Sequence, residues 1–213
     1  MAVKKSLILY ASQTGNTEKV AGVFRQVFLR QGWSCDMYKV DAGIDPENPP
    51  FNLSTYDFLC VGSPVVASLP VKEMVRILSR NPASPHHDNS DYWQSSEESG
   101  ARKRRRRFVT LAGEPDRNVS LSPRIEFSPG DRKGIVFVTF GGVHLGPKEA
   151  QPALALLESE LEHLRFQCLG KFACPGRMGR AEGWFKDLPH RPSERDLKKA
   201  DTFLEEILED IRD

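Results

Sequence analysis

Leu7-Ile8-Leu9-Tyr10-Ala11-Ser12-Gln13-Thr14-Gly15-Asn16-Thr17 decides the fold of this chain. Leu7 to Tyr10 is a short apolar run of the kind that forms a buried strand. Beyond Asn16, the residues Val20, Val23, Phe24, Val27 and Phe28 recur at helical spacing. A strand therefore ends, a loop of hydroxyls and one glycine turns the chain, and a helix starts. The amino end of a helix presents unpaired N–H groups and a partial positive charge. Ser12, Thr14, Thr17 and the Asn16 amide crowd that end, and they suit a phosphate group without help from Lys or Arg. The loop is neither G-x-G-x-x-G nor a P-loop ending in G-K-[ST]. A plain N-cap is the competing reading.

Working outward, apolar strand patterns and helical patterns alternate. Residues 4–10 predict the first strand and 16–31 the first helix, with Gly32 as its left-handed stop. Trp33 to Val40 alternates as a second strand, and the proline-bearing stretch 41–56 predicts a loop with at most a short helix. Tyr56 to Gly62 predicts a third, central strand. Leu69 to Leu78 predicts a helix with Pro70 in its first turn and Val71, Met74, Val75 and Leu78 facing inward. Gly134 to Phe140 is the fourth strand, 148–164 an amphipathic helix and Phe166 to Cys174 the fifth strand. Ser193-Glu194-Arg195-Asp196 starts the last helix with a capping pattern. Five strands with helices between them imply a parallel sheet covered on both faces.

Residues 82–132 break this rhythm. The stretch is rich in Ser and Pro and carries the run Arg102-Lys103-Arg104-Arg105-Arg106-Arg107. It predicts an insertion, disordered at least to residue 107, with weak strand patterns at 108–112 and 125–127. The basic run reads either as a solvated tract or as a docking site for an acidic partner. Lack of interleaved aromatics argues against nucleic acid.

The 213 residues carry a net charge of +1, so no global field draws the chain to nucleic acid or membrane. No run approaches the ~20 apolar residues of a membrane helix. The amino end shows no signal-peptide pattern, and the four cysteines are scattered singly without C-x-x-C. These features point to a cytoplasmic protein without a zinc or dithiol site. His86-His87 lacks a second ligand cluster and predicts no metal. Trp184 and Phe185 sit in the loop before the last helix, covering either core or a partner site.

In a doubly wound sheet, ligands bind beyond the carboxyl ends of the strands. Three predicted loops leave those ends: Ser12 to Thr17, Gly62 to Pro70, and Thr139 to Pro147. All are rich in Gly, Pro, Ser or small apolar residues, which suits a flat aromatic ligand held by backbone groups.

Ser12-Gln13-Thr14-Gly15-Asn16-Thr17 closely resembles the FMN-phosphate loop of flavodoxins, usually T/S-x-T-G-N-T between the first strand and first helix. Gly62-Ser63-Pro64 resembles their flavin loop after strand three. Thr139-Phe140-Gly141-Gly142 with Gly146 resembles the T-x-G-G-x-x-x-G loop after strand four. The resemblance covers residues 4–81 and 133–212. It implies one α/β domain over 1–213, a flavodoxin-like doubly wound five-stranded sheet of order 2-1-3-4-5, in the short-chain form with an uninterrupted last strand. It further implies FMN as cofactor, with Ser12, Thr14, Asn16, Thr17 and the loop amides on the phosphate and Gln13 and Gly15 shaping the turn. Ser63, Pro64, Val65, Val66 and Ala67 would lie beside the ring, and Phe140, Gly141, Gly142, Val143, His144, Leu145 and Gly146 on its other side. His144 reads either as a proton donor or as a passive loop residue. No catalytic residue is assigned.

The implied activity is electron transfer between partners. The alternatives are an FMN-dependent NAD(P)H:quinone-type oxidoreductase and a flavin-free interaction module using the basic insertion. The chain departs from the family in three ways: it is near neutral, residues 63–70 have no Trp or Tyr, and residues 63–69 have no glycine. A left-handed backbone at Val65, Val66 or Ala67 would cost about 1–2 kcal/mol, which tilts the expectation toward two-electron chemistry.

Overall fold

The computed structural model describes residues 3–80, 132–141, 146–176 and 190–211. The two weak strand patterns, the basic run, His86-His87, Trp184 and Phe185 lie outside the described residues. Strand β1 (Lys5–Tyr10) leads to helix α1 (Asn16–Arg30), and β2 (Ser34–Lys39) to β3 (Phe58–Val66) through a 3-10 turn at Leu53–Thr55. A two-residue strand β4 (Leu69–Pro70) precedes α2 (Lys72–Ser79). Then come β5 (Arg132–Phe140), a 3-10 turn at Gly146–Ala150, α3 (Gln151–His163), β6 (Phe166–Pro175) and α4 (Glu194–Asp210). The main sheet runs β2-β1-β3-β5-β6 and all its pairs are parallel. This is the expected 2-1-3-4-5 order, with β4 added antiparallel to β3.

Period-two alternation splits the strands' side chains between two cores. Leu7, Leu9, Leu59, Val61, Val136 and Val138 pack with Met74, Ile77 and Leu78 of α2 and Leu157 and Leu161 of α3. Ile8, Tyr10, Phe58, Cys60, Ile135 and Phe137 pack with Val20, Phe24 and Phe28 of α1 and Leu204 and Leu208 of α4. Phe24, Phe28, Phe58 and Phe137 are fully buried, each worth about 1.5–3 kcal/mol in water exclusion. Burial on both faces is why these strands read as continuous apolar runs.

Gly32 takes the left-handed conformation expected of it, with φ of 76°. Ser193 and Asp196 form the expected capping box on α4. Four local expectations are corrected. Residues 62–70 are not a loop: β3 continues to Val66 and returns as a hairpin through Leu69–Pro70. Pro70 therefore lies in a strand, and α2 starts at Lys72 with Val71 as N-cap. Ile77, not Val75, joins Met74 and Leu78 on the inner face of α2, the i, i+3, i+4 stripe. Arg132 belongs to β5 rather than to the insertion. Its guanidinium donates to the carbonyls of Leu53 and Leu164 and stacks on Phe166, so a charged residue is retained at the strand's start. The last strand is continuous, with one bulge where Leu169 is skipped between Cys168 and Gly170.

Candidate functional site

At the end of β1, the Ala11 amide donates to the Gly62 carbonyl at 2.9 Å, and the chain then leaves the sheet. Gly15 is the N-cap of α1 at φ 80°, and among the described residues no side chain caps the helix. A Cβ on Gly15 would meet nothing within 4 Å, so conformation rather than space calls for glycine here. The first intrahelical bond runs from the Lys19 amide to the Gly15 carbonyl.

The polar residues of this turn are unusually buried. Asn16 is 6% exposed and Thr17 1%. The Asn16 side-chain amide donates to Thr14 Oγ1 at 3.0 Å. Thr17 Oγ1 lies 2.8 Å from Thr139 Oγ1 on β5. Gly176, just past β6, donates its amide to the Phe140 carbonyl, and a Cβ there would lie 2.8 Å from Asn16 Nδ2. The carboxyl ends of β1, β3, β5 and β6 thus close under one loop. Among the described residues, Ser12 Oγ is buried there without a hydrogen-bond partner. A buried hydroxyl left unmade is costly, and it stands beside an uncapped helix start that favours negative charge. This arrangement can hold an anion such as a phosphate ester. With Thr139 as donor, Thr17 also keeps its own hydroxyl hydrogen for such a group.

The second predicted segment is built differently. Pro64 still pairs in register with Thr139. Ser63 Oγ accepts from the Val71 amide at 3.0 Å and donates to the Pro64 carbonyl, so this hydroxyl holds the hairpin's base. Ala67 and Ser68 form the tip at φ 50° and 66°, the pair of left-handed residues that a type I′ turn requires. Val66 and Leu69, flanking the tip, are each 50% exposed.

Of the third segment, Phe140 is buried, Gly141 is half-buried and Gly146 has φ of 58°. Gly142, Val143, His144 and Leu145 lie outside the described residues. Gln13 and Thr14 are exposed. Gly176 and Tyr10 escape sequence reading, and Thr139 reads there only as the head of the third segment, without its partner Thr17. Thr139 and Gly176 act across the sheet. Tyr10, an apparent core aromatic, donates its hydroxyl to Glu18 at 3.4 Å, while Lys39 approaches Glu18 at 3.7 Å. Burial and the neighbouring Glu18 push the Tyr10 phenol up. The lone hydroxyl of Thr139 in an apolar strand is the one signal that could have exposed its role.

Solved structures of similar fold cover nearly all of the chain. Oxidised flavodoxin 2 from Bacillus cereus aligns over 97% of this chain and 99% of its own, with a TM-score of 0.54 and 18% identity.

This chain has the flavodoxin-like fold.

A flavodoxin from the domain Archaea aligns over 98% and 99% of the two chains, with a TM-score of 0.52 and 12% identity. A flavone reductase aligns over 98% of this chain but 63% of its own, with a TM-score of 0.60 and 12% identity. No family model and no curated protein sequence matches the chain. In this flavodoxin-like fold the loop of Ser12 to Thr17 and the hairpin of Val65 to Leu69 share the carboxyl edge of the sheet. Among the described residues no helix is long and apolar enough to cross a membrane, and no three His, Cys, Asp or Glu gather to hold a metal.

Proposed function

We propose that the chain binds FMN at this edge and carries electrons between partners. The observation that supports the reading most is Ser12 Oγ, buried and without a partner among the described residues, beside the left-handed Gly15, which none of their side chains caps. Ser12, Thr14, Asn16, Thr17 and the loop amides hold the phosphate, neutralising it with dipoles. Gln13 and Gly15 shape the turn. Ser63 fixes the hairpin that brings Pro64, Val65, Val66 and Ala67 to one side of the ring. Phe140, Gly141, Gly142, Val143, His144, Leu145 and Gly146 take the other side. Bound there, FMN supplies the redox chemistry, and the apolar hairpin excludes water from it. The setting is cytoplasmic, in keeping with four free thiols, and the partner is an acidic protein met by the basic insertion.

A two-electron reductase of quinone-type acceptors is the second reading. Its support is the hairpin tip, where Ala67 and Ser68 already occupy the left-handed conformation without glycine. Their β-carbons restrict further backbone rearrangement beside the ring.

Fluorescence titration of the apoprotein with FMN and with riboflavin tests the site. Two charge-assisted hydrogen bonds at about 1.5–3 kcal/mol each place FMN at least ~100-fold tighter than riboflavin. Ser12→Ala weakens FMN about tenfold and leaves riboflavin unchanged. Equal affinity for the two flavins removes the phosphate assignment, and failure to bind either removes the flavin reading. NAD(P)H oxidation with a quinone, without an added reductase, selects the second reading over the first.

A further inference from the structure

Helix α4 buries Ala200, Leu204 and Leu208. Its opposite face carries Arg195, Lys198, Thr202, Glu206 and Glu209, spaced by three, four, four and three residues and all exposed. Lys199 flanks the basic end and Asp210 the acidic end. A groove of about 360 Å³ runs along this face, with Phe203 among its lining residues.

Two features distinguish the face from an ordinary solvated stripe. Like charges sit at helical spacing: Arg195 with Lys198 and Lys199, and Glu206 with Glu209 and Asp210. Such pairs repel. The order of charge along the face is also the reverse of what the helix dipole favours, with cations toward the amino end and carboxylates toward the carboxyl end. Among the described residues, none of Arg195, Lys198, Lys199, Glu206 and Glu209 has an ion-pair partner. Asp201 and Glu205, one step around the helix, are instead turned to Arg30 of α1.

We propose that this face joins two copies of the chain, their α4 helices antiparallel about a two-fold axis through Thr202. The spacing is symmetric about Thr202, so an isologous contact satisfies it. Arg195 of one copy meets Glu209 of the other, Lys198 meets Glu206, and each pair forms twice. Arg195, Lys198, Glu206 and Glu209 then each face an opposite charge, and the two helix dipoles run antiparallel. Parallel pairing sets like charge on like charge. An acidic partner protein answers only the basic half and leaves Glu206 and Glu209 opposed, so a second copy fits better. The helix is about 25 Å long, which places the contact at the small end of specific interfaces. Exposed pairs are individually weak and screened by salt, so the association is reversible and salt-sensitive.

Sedimentation velocity of the full chain over a concentration series tests the proposal. At low salt the expected result is a concentration-dependent dimer whose dissociation constant rises tenfold or more toward ~0.5 M salt, where the Debye length falls below ~5 Å. Lys198→Glu and Glu206→Lys, both at exposed positions, each become monomeric with an unchanged circular dichroism spectrum. Mixing the two variants restores dimers, because each then meets its opposite. The double variant dimerises alone for the same reason. A wild-type chain that stays monomeric at low salt overturns the proposal. So does a dimer indifferent to both reversals, or a mixture that stays monomeric.

Discussion

The hydroxyls of Thr17 and Thr139 meet 2.8 Å apart in a buried contact between the first turn of α1 and the end of β5. The two residues are 122 positions apart in the chain, so this bond ties the loop to the sheet rather than to its own neighbourhood. Thr139→Val leaves Thr17 Oγ1 buried without its partner, at a cost of about 1–3 kcal/mol. Thr17→Val with Thr139→Val costs less than the sum of the single changes, because no orphan hydroxyl remains. Urea denaturation of the three variants measures this, and strict additivity counts against the bond.

Gly62 lies beneath the ring of Phe137, where a Cβ has no room. Gly62→Ala is expected to destabilise by about 1–3 kcal/mol through overpacking. Gly62→Ala with Phe137→Leu recovers part of the loss. Thermal unfolding followed by circular dichroism reads both, and an unchanged midpoint in the single variant contradicts the packing.

The hairpin tip carries a removable cost. Asn-Gly suits the left-handed pair now filled by Ala67 and Ser68, so Ala67→Asn with Ser68→Gly is expected to stabilise by about 1 kcal/mol and raise Tm by about 2–4 °C. A lower midpoint is incompatible with the observed turn.

Asp196 couples the start of α4 to pH. Burial raises its carboxyl, but the hydrogen bonds from Ser193 and Arg191 outweigh burial and hold it below the ordinary carboxylate range. A carboxyl lowered on folding stabilises the native state above its unfolded pKa of ~4 and loses that effect as pH falls through the folded value. Asp196→Asn therefore costs about 1–2 kcal/mol at neutral pH, and the gap to wild type closes below about pH 4. Denaturation curves at pH 7 and pH 3 check this; a constant gap is the contrary outcome.

The thiols are poor nucleophiles. Burial pushes Cys35 and Cys168 up to about 11 and Cys174 to about 12, and Cys60 is also raised. Native protein at neutral pH is expected to react slowly with a disulfide reagent, half-buried Cys168 first, with full reaction only after unfolding. A rapid stoichiometric burst in the native state contradicts that burial.

Sequence alone determined the parts whose signals are local. The continuous apolar runs of β1, β3 and β5, the helical stripes of α1 and α4, the left-handed Gly32 and the Ser193 cap each depend on neighbours within a few residues. The hydroxyl loop at Ser12 to Thr17 was legible for the same reason. Tertiary structure alone decided the rest, because it depends on contacts between distant segments. Ser63 and Pro64 read as part of a loop, yet β5 alongside them provides a strand for Pro64 to join, and Ser63 Oγ captures Val71 from across the hairpin. Thr139 and Gly176 act on the loop only because β5 and β6 end beneath it. A polar residue at a strand's end carries no mark of the side chain that will meet it, and only parallel strand pairing over more than a hundred residues brings the two together.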